Sequence, residues 1–220
     1  GPHTLAVSSV DAAGNHASAT LSFTIDTIPP VITVGGITEG ALYGQGVNPT
    51  FGASDLHLTA VSANLDGSAF SSGSAVATDG PHTLTVVASD AAGNSSQTVV
   101  TFTVDRTAPV IAISGVAQGT TVSGSVTPGF TVTDASTFTL AVTLDGAPFS
   151  PGTTITAEGA HTLVATATDA AGNVGTSSRS FAIDRTAPVI TIAGVTEGGV
   201  TSVATPVVTV SDASSVTTTV

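Results

Sequence analysis

Apolar and polar residues alternate along most of this chain with a period of two. Leu84, Val86 and Ala88 share one face of such a segment, and Thr and Ser occupy most of the positions between the apolar residues. This spacing predicts β-strands with one buried face, and no segment shows the 3.6-residue spacing of an amphipathic helix. Gly, Pro, Asn and Asp separate the segments, as expected for tight turns. We therefore predict an all-β chain of short strands.

The alternating pattern itself recurs at an interval of 79 residues. The sequence Asp-Ala-Ala-Gly-Asn occurs at 11–15, 90–94 and 169–173, and His-Thr-Leu occurs at 3–5, 82–84 and 161–163. About seven short strands fit each period, which is typical of an immunoglobulin-like sandwich. We predict tandem immunoglobulin-like β-sandwich domains of about seven strands, arranged as an extended rod.

Prolines that follow the linker residues Asp26, Asp105 and Asp184 divide the chain into repeats. The predicted whole domains are 30–108 and 109–187. Residues 1–29 are predicted to be the C-terminal part of a preceding repeat, and residues 188–220 the N-terminal part of a following one. We expect a window on a longer repetitive chain. The alternative is a subunit whose incomplete ends complement each other between molecules, as in donor-strand assembly.

Charge excludes one class of partner and favours another. The chain has 15 acidic residues against three arginines and no lysine, for a net charge of -12. Nucleic acid binding requires clustered Lys and Arg, whereas this charge attracts cations. Cysteine is absent, which excludes disulfides and thiolate metal sites. The Thr, Ser, Ala, Val and Gly content suggests an extracellular protein, and no apolar run is long enough to predict a membrane span in this segment.

Acidic residues recur where loops are expected to meet at the domain junctions. In a seven-stranded sandwich the B–C and F–G loops lie at the same pole as the linker before the first strand. Several carboxylates in one place repel unless they are neutralised, and Ca²⁺ takes about six to eight oxygen ligands. We therefore predict junctional Ca²⁺ sites, with turn chemistry as the alternative use of the same Asp and Asn residues. The candidate ligands are Asp26, Asp55, Asp90 and Asn94 at the first junction, Asp105, Asp134, Asp169 and Asn173 at the second, and Asp184 and Asp212 at the third.

Other polar residues are given structural interpretations. Glu39 and Asp79 are expected to approach the second junction from its other side, and Glu158 and Gln118 the third. His3, His82 and His161 each open a predicted strand F, where we expect the ring to bond the preceding E–F corner rather than bind zinc. His16 and His57 have no counterparts and are expected to face solvent. Asp66-Gly67 and Asp145-Gly146 are predicted to be tight turns. No catalytic motif is present, so we expect no enzymatic activity.

The sequence Val-x-Ala-x-Asp-Ala-Ala-Gly-Asn at 86–94, followed by Phe-Thr-Val-Asp-Arg-Thr-Ala-Pro at 102–109, resembles the bacterial immunoglobulin-like repeats of giant surface adhesins and biofilm-associated proteins. The resemblance implies a cell-surface stalk in which Ca²⁺ at domain junctions stiffens a rod that projects an adhesive domain. The neighbouring repeats would then be the main partners, and a host or matrix ligand would bind outside this segment. Arg106 and Arg185 follow the linker acids where Thr27 stands at the first junction, which leaves the Ca²⁺ stoichiometry open.

Two other functions remain open from the sequence. One is an extracellular filament subunit that polymerises by strand complementation between incomplete terminal domains. The other is an accessory stalk of a secreted glycan-active enzyme. That function would require exposed aromatic residues for sugar binding, and the chain has a single tyrosine, Tyr43, and no tryptophan.

Overall fold

The computed structural model describes residues 1–219, so the last residue of the predicted 188–220 fragment, Val220, lies outside the described part of the chain. Residues 1–219 form strands and turns without a helix, as the alternation predicts. Within the same residues nothing helical has the length and apolarity to cross a bilayer. The chain divides into two compact units, Gly1–Thr107 and Ala108 onward.

The first unit contains an exposed hairpin and one sandwich. The hairpin strands β1 (Pro2–Val10) and β2 (His16–Thr24) pair antiparallel. Seven strands follow, the number predicted for one repeat. They are β3 (Val31–Gly35), β4 (Ala41–Tyr43), β5 (Thr50–Ser54), β6 (Leu58–Leu65), β7 (Ser68–Ala69), β8 (Gly80–Asp90) and β9 (Ser95–Val104). A five-stranded sheet in the order β4-β9-β8-β6-β7 faces a two-stranded sheet formed by β3 and β5.

Strand β8 supplies the centre of this sandwich. Leu84 and Val86 are completely buried, and Phe102 and Val104 of the adjacent strand β9 lie beside them. Ile32 and Val34 of β3 and Phe51 of β5 pack against this cluster from the opposite sheet. The period-two pattern read from the sequence is therefore the pattern of the core.

The second unit repeats this architecture. Its sandwich strands are β10 (Val110–Ser114), β11 (Thr121–Val122), β12 (Gly129–Thr133), β13 (Phe138–Leu144), β14 (Ala147–Pro148), β15 (Gly159–Asp169) and β16 (Val174–Ile183). The five-stranded sheet has the order β11-β16-β15-β13-β14, and β10 pairs with β12. A final exposed pair, β17 (Val189–Ala193) and β18 (Val207–Ser211), is also antiparallel.

Turn residues set the register of the long sheets. Asp66 and Gly67 connect β6 to β7 with φ values of 52° and 82°, and Asp145 and Gly146 do the same between β13 and β14. Positive φ at both positions is the geometry of a two-residue hairpin turn, which confirms the predicted turns. Gly175 is needed for close packing rather than for a turn. A Cβ there would lie 1.9 Å from the carbonyl oxygen of Pro109, so the linker can approach β16 only because the residue is glycine.

Leu163→Ala should lower the free energy of unfolding of the second unit by about 2–5 kcal/mol, since it leaves a cavity in the centre of the core. Leu163 is completely buried, whereas its neighbour Val164 points away from the core and is 36% exposed. Chemical denaturation of the two alanine variants measures the difference. A loss for Val164→Ala as large as that for Leu163→Ala would contradict the assigned faces of β15.

Candidate functional site

Asp26 fixes the linker between the first hairpin and the first sandwich. Its Oδ2 lies 2.6 Å from Nδ1 of His57, in the loop between β5 and β6. Its main-chain carbonyl accepts a hydrogen bond of 3.2 Å from Nδ2 of Asn94, in the loop between β8 and β9. The hydrogen bond with His57 is the main cause of a lowered pKa at Asp26. The linker thus contacts both loops that sequence analysis placed beside it.

Asp55 joins the same group. Its Oδ1 accepts the backbone N–H of His57 at 2.8 Å. Asp26, Asp55 and His57 each offer a ligand atom within 4.8 Å of one another. The structure therefore brings two of the four predicted ligands of the first junction together with a histidine.

The expectation that His57 faces solvent is wrong. The ring is half-buried and bonded to Asp26. Its equivalents in the other copies are Ser136 and Ser214, so the repeat comparison offered no hint of a ring at this position. The available signal was its place two residues after Asp55, in a loop already predicted to meet the linker.

Asp90 and Asn94 form a closed loop cap. Oδ1 of Asp90 accepts the backbone N–H groups of Ala92 at 2.9 Å and Asn94 at 2.8 Å, and Oδ2 accepts Nδ2 of Asn94 at 2.7 Å. Asp90 is 5% exposed, and its bond to the Asn94 side chain lowers its pKa, while the nearby charge of Asp26 acts in the opposite direction. The turn-chemistry alternative therefore accounts for both carboxylate oxygens of Asp90.

Of the predicted second set, Asp105 belongs to the first unit, and Asp134, Asp169 and Asn173 belong to the second. In the first unit, Asp105 is buried and accepts the backbone N–H of Thr107 at 3.2 Å. In the second, Asp169 is capped by Asn173 through bonds of 2.7 Å to its backbone N–H and 2.8 Å to its side chain. Asp134 accepts both the backbone N–H and the hydroxyl of Ser136 at 2.8 Å.

Asp184 and Asp212, the third predicted pair, lie close enough for the Asp184 side chain to help lower the pKa of Asp212. Bonds from the backbone and hydroxyl of Ser214, both 2.7 Å long, are the main cause of the lowered pKa of Asp212. A cation near two ionised carboxylates would offset their mutual repulsion.

The four side chains expected to approach junctions from the other side make hydrogen bonds with groups of their own unit. Asp79 holds the linker through Nε of Arg106 at 3.0 Å and the hydroxyl of Thr107 at 2.9 Å. Glu158 accepts the backbone N–H of Arg185 at 3.3 Å and the hydroxyl of Thr186 at 3.1 Å. Glu39 accepts two bonds from Thr101, and Gln118 accepts the backbone N–H of Ser180. Each therefore fastens a loop or linker to its own sandwich.

His82 and His161 occupy the expected corner position, with a partner that sequence analysis missed. Nε2 of His82 lies 2.8 Å from the carbonyl oxygen of Thr78, as predicted for a corner residue. Nδ1 lies 2.7 Å from Oδ2 of Asp66, which had been assigned only to a turn. The same spacing of 16 residues separates Asp145 from His161, and that repetition was the signal available.

The family of these sandwiches follows from comparison with known sequences. The model of the bacterial Ig-like domain (group 3) matches residues 74–156 and 153–219, and the two matches start one repeat period apart. The chain belongs to this bacterial Ig-like domain family. Such domains are structural rather than catalytic, so the predictions of tandem immunoglobulin-like sandwiches and of no enzymatic activity are confirmed. No curated protein matches the sequence.

Solved structures similar to these bacterial Ig-like domains share low sequence identity with them. The fibronectin(III)-like modules of Clostridium thermocellum CbhA are 15% identical, with a TM-score of 0.37 over 70% of this chain and 94% of the other. A 1.5-MDa bacterial ice-binding adhesin is 20% identical, with a TM-score of 0.34 over 82% and 74%. Protocadherin Gamma B2 cadherin domains 3-6 are 13% identical, with a TM-score of 0.33 over 86% of this chain, which spans 59% of that structure.

Asp169→Ala should destabilise the second Ig-like unit by about 1–3 kcal/mol even in the presence of a chelator, because the N–H groups that bind the buried Asp169 carboxylate lose their acceptor. Urea denaturation measures the loss. Asp11→Ala is the matched control, since Asp11 makes the same bonds to Ala13 and Asn15 in the exposed hairpin. A loss that appears only with Ca²⁺ would show that Asp169 is a ligand rather than a loop cap.

Proposed function

We propose that this chain is a spacer segment from the extracellular stalk of a bacterial surface adhesin, in which Ca²⁺ bound at repeat junctions limits bending between domains. The observation that carries the proposal is the attachment of the linker residue Asp26 to both pole loops of the following sandwich, through His57 and Asn94. A linker held in this way transmits orientation from one repeat to the next.

The distribution of charge supports a spacer. The seven strands of the first sandwich contain one acidic residue, Asp90, one histidine, His82, and no Arg or Lys, and both Asp90 and His82 are buried. The exposed strand positions are mostly Thr, Ser, Val and Ala, while the acidic residues lie in loops and linkers. This pattern leaves the sheets uncharged and concentrates negative charge in the loops and linkers, which attracts cations there.

The donor atoms fit Ca²⁺ differently at the first and third junctions. Around Asp184 and Asp212 the side-chain donors are oxygen atoms, including the hydroxyl of Ser214. Around Asp26 and Asp55 one donor is the imidazole nitrogen of His57, which already occupies Oδ2 of Asp26. Because Ca²⁺ prefers oxygen ligands, we expect weaker binding at the first junction.

Calcium should raise the thermal unfolding temperature of the full chain, and calorimetric titration should detect binding that Asp212→Asn weakens. Glu197→Gln is the matched control, because Glu197 is an exposed acid of the same C-terminal segment. His57→Ser, which reproduces Ser136 and Ser214, should tighten binding at the first junction by freeing Oδ2 of Asp26. If neither the parent nor any variant gives heat on titration with Ca²⁺ or unfolds at a higher temperature in its presence, calcium binding is rejected. The spacer function would still stand.

Domain replacement in the source bacterium tests the spacer function separately. Exchange of residues 30–187 for two unrelated Ig-like domains of equal length should preserve surface attachment, whereas deletion of residues 30–187 should reduce it. Antibodies against the chain should also label intact cells. Loss of attachment in the length-matched exchange would show that these domains bind the ligand themselves, and absence of labelling would contradict the surface location.

A further inference from the structure

A buried histidine in each sandwich has both ring nitrogens against hydrogen-bond acceptors. His82 is 7% exposed, with Nε2 at 2.8 Å from the carbonyl oxygen of Thr78 and Nδ1 at 2.7 Å from Oδ2 of Asp66. His161 repeats the arrangement, at 2.9 Å from the carbonyl of Ala157 and 2.8 Å from Oδ2 of Asp145. We refer to each set as a corner clamp.

These contacts determine how many protons the clamp holds. A carbonyl oxygen only accepts, so Nε2 must carry a hydrogen. A neutral imidazole has one N–H, and its Nδ1 lone pair would then face an ionised carboxylate. We therefore expect a hydrogen on each ring nitrogen, which is one proton more than a neutral histidine beside an ionised aspartate would hold. Because the two groups are coupled, this proton is assigned to the His–Asp pair and not to either residue alone.

Among the groups around each histidine ring, the aspartate of the clamp is the charged group that bonds to it. Phe102 of β9 stacks against His82 at 5.3 Å between ring centroids and carries no charge. Asp79, next to Thr78, is engaged by Arg106 and Thr107. In the second unit Phe181 packs on His161 at 5.4 Å, and Glu158 is engaged by Arg185 and Thr186.

The clamp joins three parts of the sandwich. Asp66 lies in the turn between β6 and β7, and its Oδ1 accepts the backbone N–H of Thr83 in β8 at 2.7 Å. The His82 ring, on β8, reaches back to Thr78 in the segment that leads into this strand. Loss of the proton would leave the Nδ1 lone pair of His82 facing the ionised carboxylate of Asp66. The repulsion would weaken the attachment of the β6–β7 turn to β8.

We propose that the two corner clamps are proton-dependent devices that make both Ig-like sandwiches more stable in mildly acidic than in alkaline solution. The inference is independent of calcium and of the spacer function.

The direction of the pKa changes agrees with this geometry. Burial opposes a charge on His82, but the bonds to Asp66 and to the Thr78 carbonyl raise its pKa above the ordinary value of about 6.5. The bond to Asp145 raises the pKa of His161 against a smaller opposing effect of burial. A histidine pKa raised by folding stabilises fully below the unfolded value and loses this contribution as pH rises through the folded value. Each clamp can change the folding constant by up to about tenfold per pH unit in that window.

Two measurements on the full chain test the proposal. Nitrogen-detected NMR at pH 6.5 should show hydrogens on both ring nitrogens of His82 and His161. Calorimetric unfolding temperatures should fall as pH rises from about 6.5 towards 9. One unprotonated ring nitrogen in both histidines, or unfolding temperatures that stay level or rise over this range, would overturn the proposal.

The double variant Asp66→Asn, Asp145→Asn separates the proton from the hydrogen bonds. An Asn side chain can donate from Nδ2 to a neutral Nδ1 while its Oδ1 still accepts the strand N–H, so the clamps should persist without the extra proton. Asn also tolerates the positive φ of these turns. The pH dependence should flatten in the double variant and stay as in the parent in Glu197→Gln, which removes a negative charge from a segment without histidine. An unchanged slope in the double variant would place the pH dependence elsewhere and reject the clamps as its source.

Discussion

Burial of one face of the two longest strands is the constraint on which this structure depends. Leu84 and Val86, like Leu163 and Ala165 in the second unit, have no accessible surface. Since successive residues of a strand point to opposite faces, this burial determines where every neighbouring side chain points. It also leaves almost no room for charge within the strands, so the negative charge of the chain lies at turns, loops and linkers.

Many of these acidic side chains are neutralised or capped by hydrogen bonds within their own unit. Asp90 and Asp169 are enclosed by their own loops, and Asp79 and Glu158 hold the linkers that follow the last strand of each sandwich. These bonds define the ends of each domain without any ion. The acids that remain are those in linkers and B–C loops, such as Asp26 and Asp55 or Asp184 and Asp212, and our proposal for Ca²⁺ rests on them.

The fold was predictable because its signals are local and repeated. Alternation, turn residues and the repeat period together indicate seven strands per domain, and each sandwich has seven. The site was less predictable because its bonds join residues that are distant along the chain. His57 and Asp26 are 31 residues apart, and the one sign that they meet was the position of His57 in a loop predicted to approach the linker. Asp66 and His82 were closer to detection, since a pair of Asp and His recurs with the same spacing in the next repeat.

The same local patterns do not separate the two uses of these carboxylates. Asp90 has the residue type of a Ca²⁺ ligand, yet the sequence Asp-Ala-Ala-Gly-Asn also places its own backbone N–H groups around the carboxylate. In the first junction the linker is instead held by a histidine and an asparagine. Residue type alone did not distinguish a ligand from a loop cap, because both uses favour Asp followed by a tight turn.

Hydrogen exchange of the full chain, read by mass spectrometry with and without Ca²⁺, tests the central claim most directly. The account predicts that Ca²⁺ slows exchange in the linkers and B–C loops around Asp26, Asp55, Asp184 and Asp212, and leaves exchange in the central strands β8 and β15 unchanged. Exchange that is identical in both conditions, or protection spread evenly over the sheets, would contradict it.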